Sequence, residues 1–166
     1  PIEEINATNC FLCEAVSKKC EKLLLLHEVE WLRNVYMTLY PTSKITHVNM
    51  YHDVFHEANV FGEIYLSVKA KGNHSHSIIA YWPESIQGTN ELSRHSEYQA
   101  GEIQYFFYHV VGIMLPEQPE KFVSHVFAYV HWYEKHPYYD TQLFPLKVFT
   151  NIKKKKGSSV FIPLSR

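Results

Sequence analysis

Cysteine is scarce: three residues in 166, an odd number, all before position 21. That excludes the spread disulfide framework of a small secreted domain and points to an intracellular, reducing setting. Six glycines, none adjacent to another, leave no glycine-rich loop to cradle a phosphate. The longest uninterrupted apolar runs, 78–82 and 126–130, are five residues each, against the roughly 20 that a membrane helix requires. A soluble chain with no membrane partner is expected. Charge of one sign is missing too: 16 Lys and Arg against 17 Asp and Glu give a net −1. A protein that grips nucleic acid with its whole surface carries a basic excess.

What is present is material for a core. The 46% hydrophobic and 15% aromatic content excludes wholesale disorder, and the length suits one domain, alone or with a helical appendage. Eleven histidines would add positive charge near pH 5, so any affinity for anions should strengthen in acid. The chain opens on Pro1 and closes on Arg166 directly after a strand-like run, and is read as a piece of a longer protein.

Hydrophobic rhythm divides the chain near Gly62. Over 14–40, Leu25, Val29, Leu32, Tyr36 and Leu39 recur at helical spacing, with His27, Glu30, Asn34 and Thr38 opposite and Pro41 as terminator. A second helix is expected over 50–58, with Tyr51, Val54, Phe55 and Ala58 on its apolar side and Asn49 as N-cap. Beyond Gly62 the period becomes two: Ile64, Leu66, Val68 and Ala70 alternate with polar residues. Residues 71–73 carry turn chemistry, 77–82 read as a return strand ended by Pro83, and 84–99 as a polar connection. Two aromatic-rich runs, 100–111 and 124–133, read as paired strands, with Trp132 facing the core. The expected class is α+β: an N-terminal helical segment, 1–59, packed on a mainly antiparallel small β-barrel or curved sheet, 60–166.

Chemistry-bearing residues are few. Cys10, Cys13, Cys20 and His27 can be drawn as a zinc site, but spacings of seven along a helix separate successive side chains by roughly 10 Å, too far for one tetrahedral ion. His52 and His56 would stand one helical turn apart, as a metal pair requires. Asp53 occupies the place of the glutamate in H-E-x-x-H, no third ligand follows at recognisable spacing, and a solvated helix edge explains both rings. His74 and His76 read as a turn tip, and no nucleophile elbow accompanies them. No cofactor and no catalytic residue is expected. Lys153, Lys154, Lys155 and Lys156 are the one concentrated charge, able to meet phosphates or to form a solvated loop tip that protects strand edges. Tyr105, Tyr108, Tyr129 and Tyr133 are candidates for an aromatic cage around a methylated lysine, with cross-strand packing as the alternative.

Residues 101–107 (GEIQYFF), 126–137 (VFAYVHWYEKHP) and 160–166 (VFIPLSR) resemble, in that order, the core of a bromo-adjacent homology (BAH) module. That resemblance implies a β-rich, non-enzymatic domain that binds histones, nucleosomes or partner proteins. Over its length the chain is also similar to an uncharacterised domain family abundant in early-diverging, arbuscular mycorrhizal fungi, through 32–41 (LRNVYMTLYP), 60–67 (VFGEIYLS) and 125–137. This second likeness implies relation to transposable elements and a nuclear location. The N-terminal helices lie outside the BAH pattern, and His136, Pro137, Tyr138 and Tyr139 stand where such modules usually carry arginine and acidic residues. The expected function is a non-catalytic chromatin- or DNA-associated interaction module. The alternatives are a purely structural or protein-binding domain of a larger protein, and a metal-dependent hydrolase built on His52 and His56.

Overall fold

A computed structural model describes residues 13–70, 76–86, 89, 91–137, 149–153 and 157–164. Its spine is one strand, β8 (Leu92–Met114), which pairs antiparallel from Gly101 to Ile113 with β9 (Lys121–Lys135). The opposite edge of β8 receives three strands in succession: β7 (Ser77–Ser85), β4 (Tyr51–Phe55) and β3 (Lys44–Val48). β2 (Cys20–Leu23) pairs β4, while β10 (Phe149–Lys153) and β11 (Phe161–Pro163) pair β9. These strands form an eight-stranded sheet that, among the described residues, does not close into a barrel.

A smaller sheet holds β1 (Cys13–Ala15), β5 (Glu57–Val60) and β6 (Glu63–Leu66). β4 and β5 are separated by His56 alone, so the chain passes from one sheet to the other at that residue. Val60 pairs Glu63 across a two-residue turn in which Phe61 and Gly62 have φ of 53° and 88°. Positive φ at both centres is the primed geometry that matches strand twist. The Asn59 side-chain oxygen accepts the Gly62 N–H at 2.9 Å.

Helix α1 (Leu26–Leu39) lies across one face of the large sheet and buries Trp31, Leu32, Val35 and Tyr36. Its polar face carries His27, Glu30 and Thr38 into solvent, as the spacing predicts. The Glu28 carboxylate accepts the Leu25 N–H at 3.0 Å and closes the helix start. Below it, Tyr36 meets Phe127 edge-on with centroids 5.5 Å apart, and Phe107 stacks on Phe127 at 5.3 Å. On the opposite face Phe55 stacks on Phe106 at 5.7 Å. Trp132 is buried as expected, its indole N–H donating to the Ser159 carbonyl at 2.8 Å.

Several expectations need correction. The strand expected to carry Val68 and Ala70 stops at Leu66, and β7 continues through Pro83 to Ser85, since the proline, which has no N–H to donate, still pairs Ser96. The first helix begins at Leu26 rather than near residue 14, because Cys13–Ala15 and Cys20–Leu23 find register partners on β5 and β4. The second helix is absent: Tyr51–Phe55 and Glu57–Val60 are strands. Short apolar runs satisfy either period, and the long edge of β8 supplies a ladder that decides between them. Asn49, expected as an N-cap, instead accepts the Tyr51 N–H at 3.0 Å at the start of β4. The polar connection is half strand, since Leu92 to Gln99 pair with β7. The boundary drawn near residue 60 falls at the end of β5, and one hydrophobic cluster joins Leu32, Tyr36 and Phe55 to Phe107, Phe127 and Trp132.

Candidate functional site

β8 and β9 bring Tyr105 and Tyr129 into direct register. Their rings stack with centroids 4.8 Å apart and planes 2° from parallel, so each fills the space a ligand would need beside the other. The Lys22 ammonium stands 5.5 Å from the Tyr105 ring centre. Burial, with the nearby Glu28 charge, pushes the Tyr129 hydroxyl up to about 12, and Tyr105 moves in the same direction. Both remain neutral donors at any physiological pH. Tyr108 projects from the other face, packs against Phe55 at 5.1 Å and has the Lys19 ammonium 4.0 Å from its ring centre. Tyr133 donates to Glu102 Oε1 at 2.6 Å. Of the four tyrosines considered together in sequence, Tyr105 and Tyr129 meet, whereas Tyr108 faces the other way and Tyr133 is engaged with Glu102.

The metal candidates are also dispersed. Cys10 lies outside the described residues. With α1 starting at Leu26 the helical objection to a cysteine site disappears, yet Cys13 pairs Val60 and Cys20 pairs Val54. That is six strand positions, roughly 20 Å of backbone. Cys13 is buried and Cys20 exposed. His52 and His56, on one helical face in expectation, lie on β4 and at the bend that follows it. His56 Nδ1 lies 2.8 Å from the Ser67 hydroxyl. Among the described residues no group of three or more His, Cys, Asp or Glu converges as metal ligands do.

Sequence reasoning missed a set of histidines and tyrosines between α1 and the sheet. His109 Nε2 is 2.6 Å from the Asn49 carbonyl, which only accepts, so this nitrogen carries the proton. Nδ1 then accepts from the Tyr36 hydroxyl at 2.7 Å. The Tyr40 hydroxyl and His125 Nε2 are 2.6 Å apart. His52, 5% exposed, lies against Phe107 at 5.0 Å and Tyr105 at 6.2 Å. Burial brings both His52 and His109 down to about 4; the Lys22 charge adds to the effect at His52. Period-two alternation in 105–109 placed His109 on the Tyr105 face, but only the packed helix shows what it meets.

The other face holds a groove of about 500 Å³ between the two sheets, lined by Val60, Phe61 and Tyr65 on one wall and by Ile78, Ala80 and Leu164 among those opposite. No lining side chain is charged. Phe61 stands 68% exposed at its rim.

Lys153 pairs Tyr133 through its backbone; its side chain and Lys154, Lys155 and Lys156 lie outside the described residues. Against known proteins, no family model, no curated protein and no solved structure matches this chain.

Proposed function

We propose that this chain is a non-catalytic interaction module that holds a partner protein at the groove between its sheets, in a chromatin- or DNA-associated setting. The observation that carries the reading is the chemistry of that groove. It is of ligand-site size, wholly uncharged in its lining and bordered by an exposed Phe61. It offers mainly apolar contact, with the hydroxyls of Tyr65 and Ser77 as its polar side chains. The BAH-like succession of strands and the likeness to the mobile-element family support a histone or other chromatin protein as partner, and a nuclear location. Lys153, Lys154, Lys155 and Lys156 supply electrostatic attachment to DNA in this reading.

The test uses purified core histones and free DNA as probes at about physiological salt. Histone binding is expected, and Leu164→Glu, which puts a charge on the groove wall, should weaken it at least about tenfold, or ~1.4 kcal/mol. Histone affinity unchanged by Leu164→Glu, or absent at every salt concentration, overturns the reading.

A further inference from the structure

We propose that the outer edge of β7 takes an extended segment of the partner protein, which adds to the large sheet as one more strand and sends alternate side chains into the groove. This deepens the interaction reading above and rests on it.

β7 pairs with β8 alone among the described strands. The direction of its main-chain groups follows from Pro83, which pairs Ser96. Proline has no N–H, so it fits a strand where that group would point away from the neighbour. Two contacts set the same phase. The His76 carbonyl accepts the Ile103 N–H at 2.9 Å, and the Trp82 carbonyl accepts Gln99 Nε2 at 2.7 Å. Even-numbered residues therefore turn their main chain toward β8, and Ile79 and Tyr81 turn theirs outward. Both are exposed, at 71% and 63%. Ile78 and Ala80, between them, line the groove.

An open strand edge specifies its occupant. A polypeptide in extended conformation presents donors and acceptors at strand spacing; a small apolar molecule would fill the groove and leave the outward groups of Ile79 and Tyr81 to water. Proteins usually blunt free edges with lysine or proline; β7 has no lysine, and its one proline, Pro83, lies beyond the Ile79–Tyr81 stretch. The segment that fits has small apolar, uncharged side chains on its groove side. On its other side it has residues suited to Ile79, Tyr81 and the Tyr98 ring, which lies 5.2 Å from Tyr81.

The probe is a lysine-capped peptide of alternating valine and threonine, followed by fluorescence anisotropy and by amide exchange at Ile79 and Tyr81. Binding should protect both amides. N-methylation of the peptide edge that faces β7 should weaken binding by about tenfold or more, while methylation of its far edge should not. Ile79→Pro, which imitates Pro83 and spares the inward bonds, should produce a similar loss. If that variant fails to fold, the methylated pair decides alone. Equal affinity for both methylated peptides overturns strand addition and leaves the groove as a simple apolar contact. No binding of any peptide, with histone binding intact, places the partner elsewhere and also overturns it. Protection of Ile79 and Tyr81 that rises with protein concentration in the absence of peptide identifies a second copy of the chain as the occupant, and overturns a separate partner.

Discussion

His52 and His109 are imidazoles that the fold keeps neutral. Both sit near 4, below the ordinary 6.5, because burial disfavours the charged ring. Between those values the unfolded chain binds protons that the folded protein excludes, so stability is full above about pH 6.5 and falls as pH drops toward 4. Each ring contributes on the order of 3 kcal/mol over that window. Charged and titratable neighbours of His109 are His47, His52, His125 and Tyr36; those of His52 are Lys22, Asp53, His109 and Tyr105. His52→Phe, which keeps an aromatic ring against Phe107, should flatten the decline in urea midpoint between neutral and acid pH, whereas the wild type should show it in full. Phe61 is the other instructive residue. Its φ of 53° lies in the left-handed region that β-carbons resist. Asparagine tolerates that region far better, so Phe61→Asn should raise stability by about 1 kcal/mol in thermal or urea unfolding.

At the scale of elements, the pairing of β8 with β9 depends on a residue without a side chain. A β-carbon on Gly101 would stand 2.6 Å from the His131 carbonyl oxygen and 2.9 Å from the Trp132 ring. The backbone on one side and a buried indole on the other leave little room to shift. Gly101→Ala should therefore cost about 1–3 kcal/mol, read from urea unfolding with Trp132 fluorescence as a second report. Strong alternation made β9, the 100–111 part of β8 and the start of β6 legible in the sequence, although Val68 and Ala70 continue the alternation past the end of β6 at Leu66; the helical face from Val29 to Tyr36 was legible from its own period. Residues 50–60 were not, since Tyr51, Val54, Phe55 and Ala58 fit a helical stripe, and only distant partners, β8 and β2 for β4 and β1 for β5, together with the β6 hairpin, draw them into strands. Nor was the start of α1 legible, because 14–25 continues a tolerable helical pattern and its pairing with β4 and β5 is a long-range fact. The groove escaped for a similar reason: its walls come from residues 60–65, 77–80, 103–106, 128 and 162–164, which no local pattern joins.

At the scale of the molecule, the charge balance of −1 confines any DNA affinity to its one basic run. Replacing Lys153, Lys154, Lys155 and Lys156 with glutamine should flatten the dependence of DNA affinity on salt by up to about 0.9 per lost phosphate contact, measured by anisotropy across a salt series. Histone affinity mediated by the groove should change little. An unaltered salt slope would remove these lysines from the DNA-binding role.

The reach of β8 has a consequence for how the protein is made. Its neighbours span the chain from Lys44 to Lys135, and among the described strands it alone joins β3, β4 and β7. On the ribosome, β3, β4 and β7 emerge without the strand they must join, with Val54, Phe55 and Trp82 uncovered. Such long-range pairing makes folding slow, and half-made chains of this kind aggregate readily. Assembly waits for the synthesis of one strand, and nascent chains stalled ahead of it should need chaperone cover that the finished protein does not.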